Sequence, residues 1–411
     1  MTNIKKTREI QKLAKKKSIR PVSSTFEYED QMDIRRQVLE KITHTKLTHI
    51  NSPTFDVKTV STKNCENLIG KIEIPLGVAG PLKIKGNFIN GETFVPLATT
   101  EGALVASVNR GCKAITESGG AYVYLEQSGI TRAPIFRTNN LMQAKKFVSW
   151  IKSHFDDIAQ KVKETSSHIT LLSITPYIAG RNVYPRFVFD TQDAMGMNMA
   201  TFACDHVIRM YIEKSTKVRC VALSGNVCSD KKASWMNKIE KRGHSVHADV
   251  VITKDVIREI LKTSPEAIVD TYTRKILIGS AISGSIGFNA QHANIVASIF
   301  AATGQDLAHV VEGSLGTTTA ELVEEGVYFS VFLPALPLGT VGGGTSLATQ
   351  KEALSILEVA GGGNPSGSHA KKLAEITAAA VMAGEVSLLS AIAAGDLAKA
   401  HKKLGREGIA L

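Results

Sequence analysis

The stretch from Ser368 to His401 is almost unbroken helix former built largely from small residues, and no other segment limits the architecture as much. Small side chains let helix axes approach closely, so this helix suits packing inside the protein or across a tight dimer interface. Gly279–Ala302 has the same character, being long, apolar and rich in Ala, Ser and Gly, and it reads as a buried helix. At 411 residues the chain is too long for one compact core, so two or three domains are expected.

Hydrophobic residues make up 43% of the sequence, which places it among ordinary globular proteins rather than disordered or fibrous ones. The net charge is +11, and most of it is local: eight basic residues and one acid, Glu9, lie between Lys5 and Arg20. No aromatic residues interleave that run and hardly any apolar stripe is visible. Residues 1–20 therefore read as a solvated arm, and neither nucleic acid nor membrane is an expected partner. The remaining positive charge suits a polyanionic small molecule such as a nucleotide or coenzyme A. Five cysteines (Cys65, Cys112, Cys204, Cys220, Cys228) lack C-x-x-C spacing, and no apolar leader opens the chain. No disulfide framework or metal site is expected. No run approaches the roughly 18 apolar residues of a membrane span, so the expectation is a soluble, cytoplasmic protein.

Along the chain, Asp33–Lys46 has the spacing of a short surface helix, and Glu66–Leu82 breaks repeatedly at Gly and Pro. Thr99–Ile115 opens with threonines suited to a helix N-cap, which puts Glu101 in the first turn. From about Ala133 to Leu223 strand-like runs (Ile169–Ile178, Asn182–Phe189) alternate with helical ones (Asn140–Phe155, Met199–Lys217). That is the rhythm of a small α+β domain inserted in the chain.

The common fingerprints G-x-G-x-x-G, Walker A, H-E-x-x-H and G-x-S-x-G are missing, which disfavours a standard dinucleotide fold or a serine hydrolase. Several stretches still carry chemistry, each with a plainer alternative. Ser224–Lys232 (SGNVCSDKK) sets a hydroxyl, an acid and two lysines around a Gly; adjacent lysines also mark solvated faces. Ala194–Met199 (AMGMNM) is a Met-rich loop that serves either a cofactor or a core gap. Gly339–Thr345 (GTVGGGT) offers successive N–H groups to a phosphate or lets a flat ring approach, unless it is only a turn. Glu101, Asp306 and His401 are candidate proton-handling groups; singly, each is explained as well by a helix dipole or a surface loop.

Taken together and in order, ENLIG, PLGVAGPL, ATTEGALVASVNRGCKAI, GITRAP, DAMGMNM, SGNVCSDKK, GSAISGSIGFNA, ATGQD, GTVGGGT and VMAGEVSLLSAIAAG with His401 resemble the 3-hydroxy-3-methylglutaryl-coenzyme A reductase family. The likeness runs from about Asp33 to His401 and is closest to the class shared by eukaryotes and archaea, without their membrane anchor. It implies an α+β fold: a large domain around a long central helix, an inserted small ferredoxin-like cofactor domain, and a short N-terminal helical domain. The implied boundaries are 1–46 for the N-terminal domain, 47–131 with 224–411 for the large substrate and dimerisation domain, and 132–223 for the insert. Active sites would form between subunits of a homodimer or higher oligomer.

The implied reaction is the four-electron reduction of HMG-CoA to mevalonate and free CoA by two NADPH. Hydride attack on a thioester builds charge on oxygen, and a cation stabilises it; Lys231 matches the family's lysine in that role. Glu101 matches the proton donor of the aldehyde step, Asp306 the acid coupling Glu101 to Lys231, and His401 the residue that protonates the departing thiolate. Arg132, Ser224, Asp230, Lys232, Lys275 and Asn294 correspond to groups around the hydroxymethylglutaryl moiety, and Ser107, Asn109 and Arg110 to coenzyme A contacts. Asp193, Met195, Gly196, Met197, Asn198, Gly342, Gly343 and Gly344 correspond to the nicotinamide cofactor's surroundings. There are two departures. The family often has His where this chain has Gln291, and neither Gln291 nor His292 is given a role. Ser166-Ser167-His168 stands where an arginine usually meets the cofactor's 2′-phosphate, so NADPH is expected with NADH as the alternative. A thioester acyltransferase or hydrolase that uses the same lysine without hydride is the nearest rival.

Overall fold

A computed structural model describes residues 2–20, 22–51 and 53–395. Helices α1 (Thr2–Lys15) and α2 (Tyr28–Thr43) pack together, burying Ile10 and Leu13 against Ile34 and Val38. The basic arm is therefore not simply solvated. Ile10, Leu13 and Ala14 suffice for an apolar stripe at helical spacing, and Lys6 reaches across to Asp30 at 3.0 Å.

Strands β1 (Leu76–Lys85) and β2 (Asn90–Ala98) form an antiparallel hairpin, and β1 also meets β3 (Ala121–Arg132) in parallel at Ile84 and Lys85. Helix α3 (Leu104–Glu117) connects β2 to β3. It starts later than the threonines suggest: Ala103, in a left-handed turn (φ 72°), is its N-cap. The Thr99 hydroxyl accepts instead from the Glu101 N–H (3.0 Å), so it caps a tight turn and leaves Glu101 ahead of the helix.

Strand β4 (Ile135–Arg137), helices α4 (Leu141–Ser153) and α5 (Phe155–Lys163), strands β5 (Thr170–Ala179) and β6 (Asn182–Asp190), helix α6 (Met197–Val207) and β7 (Arg219–Ala222) follow. Their apolar faces gather into a separate core that includes Ile130, Phe136, Phe147, Phe187, Phe189 and Val207. Strand β8 (Gly243–Thr253), helix α7 (His292–Thr303), strands β9 (Thr317–Val323) and β10 (Gly326–Leu336), and helix α8 (Ser368–Ala393) complete the main elements. The result is a mixed α+β fold on a mixed sheet, its strands ordered β7-β4-β6-β3-β8-β10-β9 with β1, β2 and β5 paired beside that path. Strand β3 belongs to both halves: Tyr122–Gly129 pair with β8, and Ile130–Arg132 pair with β6.

Helix α8 runs through the larger core, flanked by α3, α7, β8 and β10, with Leu373, Ile376, Val381, Met382, Val386 and Leu389 buried. Small residues permit the approach: a Cβ on Gly111 of α3 would lie 1.9 Å from the Ala383 carbonyl oxygen. Helix α8 also departs from the expectation that no run is long and apolar enough to span a membrane. An 18-residue window of α8 reaches a mean hydropathy of 1.8, long and apolar enough for a membrane span, but 83% of that window is buried inside the protein. Gly279–Ala302 is not one helix either. Helical structure stops at Ser283, Gly284 turns left-handed (φ 65°), and a loop runs to Gln291 before α7 begins. Tertiary contacts hold that loop open, since the Asn289 amide donates to the carbonyls of Ser314 and Gly316 at 3.0 and 3.1 Å.

Candidate active site

Between β7 and β8 the chain forms a loop that no regular hydrogen-bond ladder could support. Asn226, Ser229 and Lys231 all take left-handed backbone angles (φ 62°, 53° and 56°), each unfavourable for a residue with a side chain. Buried polar groups hold it there. The Asn237 amide donates to the carbonyls of Ser229 (3.1 Å) and Lys232 (2.7 Å), and Thr131 donates to the Cys228 carbonyl at 2.8 Å. The Lys231 N–H donates to Glu312 at 3.1 Å. Fixed in this way, Lys231 places its ammonium 2.8 Å from Asp306, and both side chains are 39% exposed. Burial would raise the Asp306 pKa, but the Lys231 hydrogen bond, the Ala308 N–H and nearby His309 outweigh it and hold the carboxyl below its ordinary value.

Lys231 and Asp306 line a cavity of about 890 Å³ together with Arg132, Asp230, Met195–Asn198 and Gly342–Gly344. Two loops are zipped together to form its far wall. Ala194 bridges Val341, the Thr340 N–H donates to the Asp193 carbonyl (2.7 Å), and a Cβ on Gly339 would lie 2.4 Å from the Met195 nitrogen. Gly342 and Gly343 have positive φ (79° and 54°) with open space where a Cβ would point, so backbone conformation rather than crowding calls for glycine. Asp193 is spent elsewhere: its buried carboxylate accepts from the N–H groups of Gly363 (2.8 Å), Gly367 (2.7 Å) and Ala370 (3.0 Å), anchoring the start of α8.

A family model described as hydroxymethylglutaryl-coenzyme A reductase matches residues 31–406. The chain belongs to that family. A 3-hydroxy-3-methylglutaryl-coenzyme A reductase of Aeropyrum pernix is 51% identical over 378 residues, covering 92% of this chain and 90% of its own length. The Methanocaldococcus jannaschii protein of the same name is also 51% identical, over 91% of this chain and 92% of its own length. In the Dictyostelium discoideum reductase 1 the identity is 45%, over 91% of this chain and 68% of the relative. Among solved structures, the class II reductase of Streptococcus pneumoniae bound to NADPH is similar in fold, with a TM-score of 0.65 at 19% identity, covering 90% of this chain and 98% of that one.

The remaining positions singled out by this family's motifs do not line the cavity of the single chain, among the described residues. Glu101 and Lys275 are exposed, the latter on the π-helical turn Tyr272–Gly279. The Ser224 hydroxyl lies 3.5 Å from Cys228, and Lys232 donates to the Asp230 carbonyl at 3.3 Å. Asn294 sits on α7, its amide 3.5 Å from Gln291. On α3, Ser107 and Arg110 both bond to Ser387 of α8 (3.0 and 3.1 Å), and Asn109 accepts from the Gly80 N–H at 3.0 Å. Gln291, given no role above, donates to the Gly384 carbonyl at 2.7 Å. His401 lies outside the described residues. Sequence reading missed Arg242, His309 and Glu312, which are buried immediately behind Lys231. Only the i,i+3 spacing of His309 and Glu312 after Asp306 hinted at them. Asp230, His309 and Glu312 bring ligand-type atoms within 4.8 Å of one another, yet the Arg242 guanidinium already bonds two of the three, which leaves little for a metal to do.

Proposed function

We propose that the chain is an oxidoreductase that reduces 3-hydroxy-3-methylglutaryl-CoA to mevalonate and free CoA with two NADPH. One observation supports this more than any other: the half-exposed Lys231–Asp306 pair shares a cavity with the Met195–Asn198 loop and the left-handed Gly342–Gly343 turn. That wall of open backbone and thioethers fits a flat ring, and the cavity is of the size that ligand sites have. NADPH, when bound, supplies a hydride in each of two reductions. Lys231 stabilises the oxyanion that develops as the thioester carbonyl is attacked, and Asp306 keeps the ammonium aimed and charged. His401 protonates the CoA thiolate as the carbon–sulfur bond breaks, which stops its return to the aldehyde. Glu101 gives the proton that turns the aldehyde oxygen into an alcohol, and Asp306 couples it to Lys231. Arg132, Ser224, Asp230, Lys232, Lys275 and Asn294 hold the acyl group, Ser107, Asn109 and Arg110 the CoA, and Met195–Asn198 and Gly342–Gly344 the cofactor, with Asp193 supporting that wall from behind.

The finer architecture belongs to the same reading: an N-terminal helical domain over residues 1–46, a large domain 47–131 with 224–411 around α8, and a ferredoxin-like cofactor domain 132–223. The separate core around Phe136 and Phe187 supports the insert. The working form is at least a dimer. Ile72 (87% exposed), Ile74, Leu76 and Val78 present an apolar stripe along the entry to β1, and Glu101, Lys275 and Asn294 fall outside the one-chain cavity. The same reading places the enzyme in the cytoplasm, and α8 is packed inside the protein rather than free to enter a membrane.

The test follows nicotinamide absorbance after HMG-CoA is added, with NADPH and NADH in parallel. Thioester-dependent oxidation, faster with NADPH, is expected; CoA release without it would point to a hydrolase. His401→Gln should slow thioester reduction severely and spare reduction of free mevaldehyde, and Glu101→Gln should impair the aldehyde step. Equal losses of both steps in His401→Gln would leave the thiolate role without support. Sedimentation showing a fully active monomer would refute the dimer.

A further inference from the structure

Lys231 has to satisfy two conditions at once: a left-handed backbone (φ 56°) and an ammonium held 2.8 Å from Asp306. Behind it lies a group of side chains entirely out of water that touches both ends of that requirement. One oxygen of Glu312, Oε1, accepts from the Lys231 N–H (3.1 Å), from Arg242 (2.7 Å) and from His309 Nδ1 (2.7 Å). A carboxylate at that distance puts a proton on Nδ1. The opposite nitrogen, His309 Nε2, is buried, has no hydrogen-bond partner among the described residues, and faces Asp306 Oδ2 at 3.7 Å. The contacts close a ring that leads from the Lys231 ammonium to Asp306, to His309, to Glu312 and back to the Lys231 backbone. Arg242 braces it from below, bonded also to Asp230 at 2.7 Å.

A ring of this form has a consequence that loop packing alone would not have. Asp306 cannot shift, and the Lys231 backbone cannot leave its left-handed angle, without breaking a contact at His309 or Glu312, and the bracing charges are already desolvated. We infer that His309 and Glu312 are positioning residues for the reduction proposed above, fixing the Lys231–Asp306 pair from behind without touching substrate. The inference rests on that reading of the cavity.

The test compares the full-length wild type with His309→Phe, His309→Asn and Glu312→Gln, measuring kcat, KM and the melting temperature. Phenylalanine fills the ring's volume but bridges nothing, so kcat should fall on the order of tenfold to a hundredfold, with KM for both substrates unchanged within about twofold. Asparagine keeps a donor at the position of Nδ1 and should recover some of the loss. Glu312→Gln keeps an acceptor for the Lys231 N–H but loses the charge, and should fall between the two. A merely structural role would be met by the volume of phenylalanine, or would show as lower melting temperature with kcat preserved. Folded His309→Phe and Glu312→Gln proteins with wild-type kcat would overturn the inference. If His309→Phe does not fold, the other two variants decide; if none folds, the ring serves the fold and the inference fails. A wild type with no thioester-dependent NADPH oxidation would overturn the reading and the inference with it, whereas an active wild type beside unaffected variants overturns the inference alone.

Discussion

Two sets of carboxylates in this molecule are treated in opposite ways. Glu375 and Glu385 lie wholly out of water on α8, ten positions apart, and each is given over mainly to backbone. Glu375 accepts the N–H groups of Asn87, Phe88 and Ile89, which form the turn between β1 and β2 (3.1, 2.9 and 3.1 Å). Burial raises its pKa, against the pull of those donors. Glu385 accepts from Ala290 and Gln291 at the end of the open loop before α7, and from Thr318 (2.9, 2.7 and 2.7 Å). Asp306 faces a cavity, is 39% exposed, and meets a side-chain cation. A buried carboxylate saturated by N–H groups staples loops to a helix and has no capacity left for a ligand. A half-exposed one paired with lysine keeps its charge and can still be reached.

Mutation should separate the two treatments. The largest effect is expected from Lys231→Met, which removes the cation from the developing oxyanion: turnover should fall on the order of a hundredfold or more. Stability should change by only about 1 kcal/mol or less, because half-exposed ion pairs contribute little. A folded Lys231→Met protein with near-normal turnover would put Lys231 on the structural side of the comparison.

Glu385→Ala should do the reverse. It leaves two half-buried N–H groups and the buried Thr318 hydroxyl without their acceptor, at a cost of about 3 kcal/mol. Denaturant melts of the purified variant measure this, and an unchanged midpoint would mean that the staple is redundant.

The smallest effect sharpens the comparison with a buried group that carries no charge. His244 is held neutral by burial, and by the field of Lys371, with its pKa pushed down to about 4 from 6.5. The unfolded chain binds that proton more readily, so the stabilising contribution is fully present above pH 6.5 and is lost as pH falls through 4. Over that window the loss should come to about 3 kcal/mol, and His244→Leu should flatten the profile. Identical pH profiles for the two proteins would assign the acid sensitivity to other groups.

The residues themselves determined a good deal. Composition and period gave the small-residue helix at the C-terminus, the β5 and β6 strands and the alternating insert around them, because each of these is a local pattern that repeats within a few residues. The chemistry-bearing stretches were legible for the same reason: SGNVCSDKK, AMGMNM and GTVGGGT are contiguous, and their residue types are unusual together. What the tertiary structure alone decided were matters of partnership. The apolar stretch from Gly279 to Ala302 breaks at Gly284 because the Asn289 amide reaches the Ser314 and Gly316 carbonyls and Glu385 accepts the N–H groups of Ala290 and Gln291, partners that another helical turn would not reach. Asp193 anchors α8 through residues about 170 positions away. Arg242, His309 and Glu312 look unremarkable in the sequence, and they become a buried brace for Lys231 only when β8 and the segment after α7 are brought together. Local propensity acts over one or two turns of chain, whereas the desolvation of a charge depends on everything that surrounds it; no short window of sequence contains that surrounding.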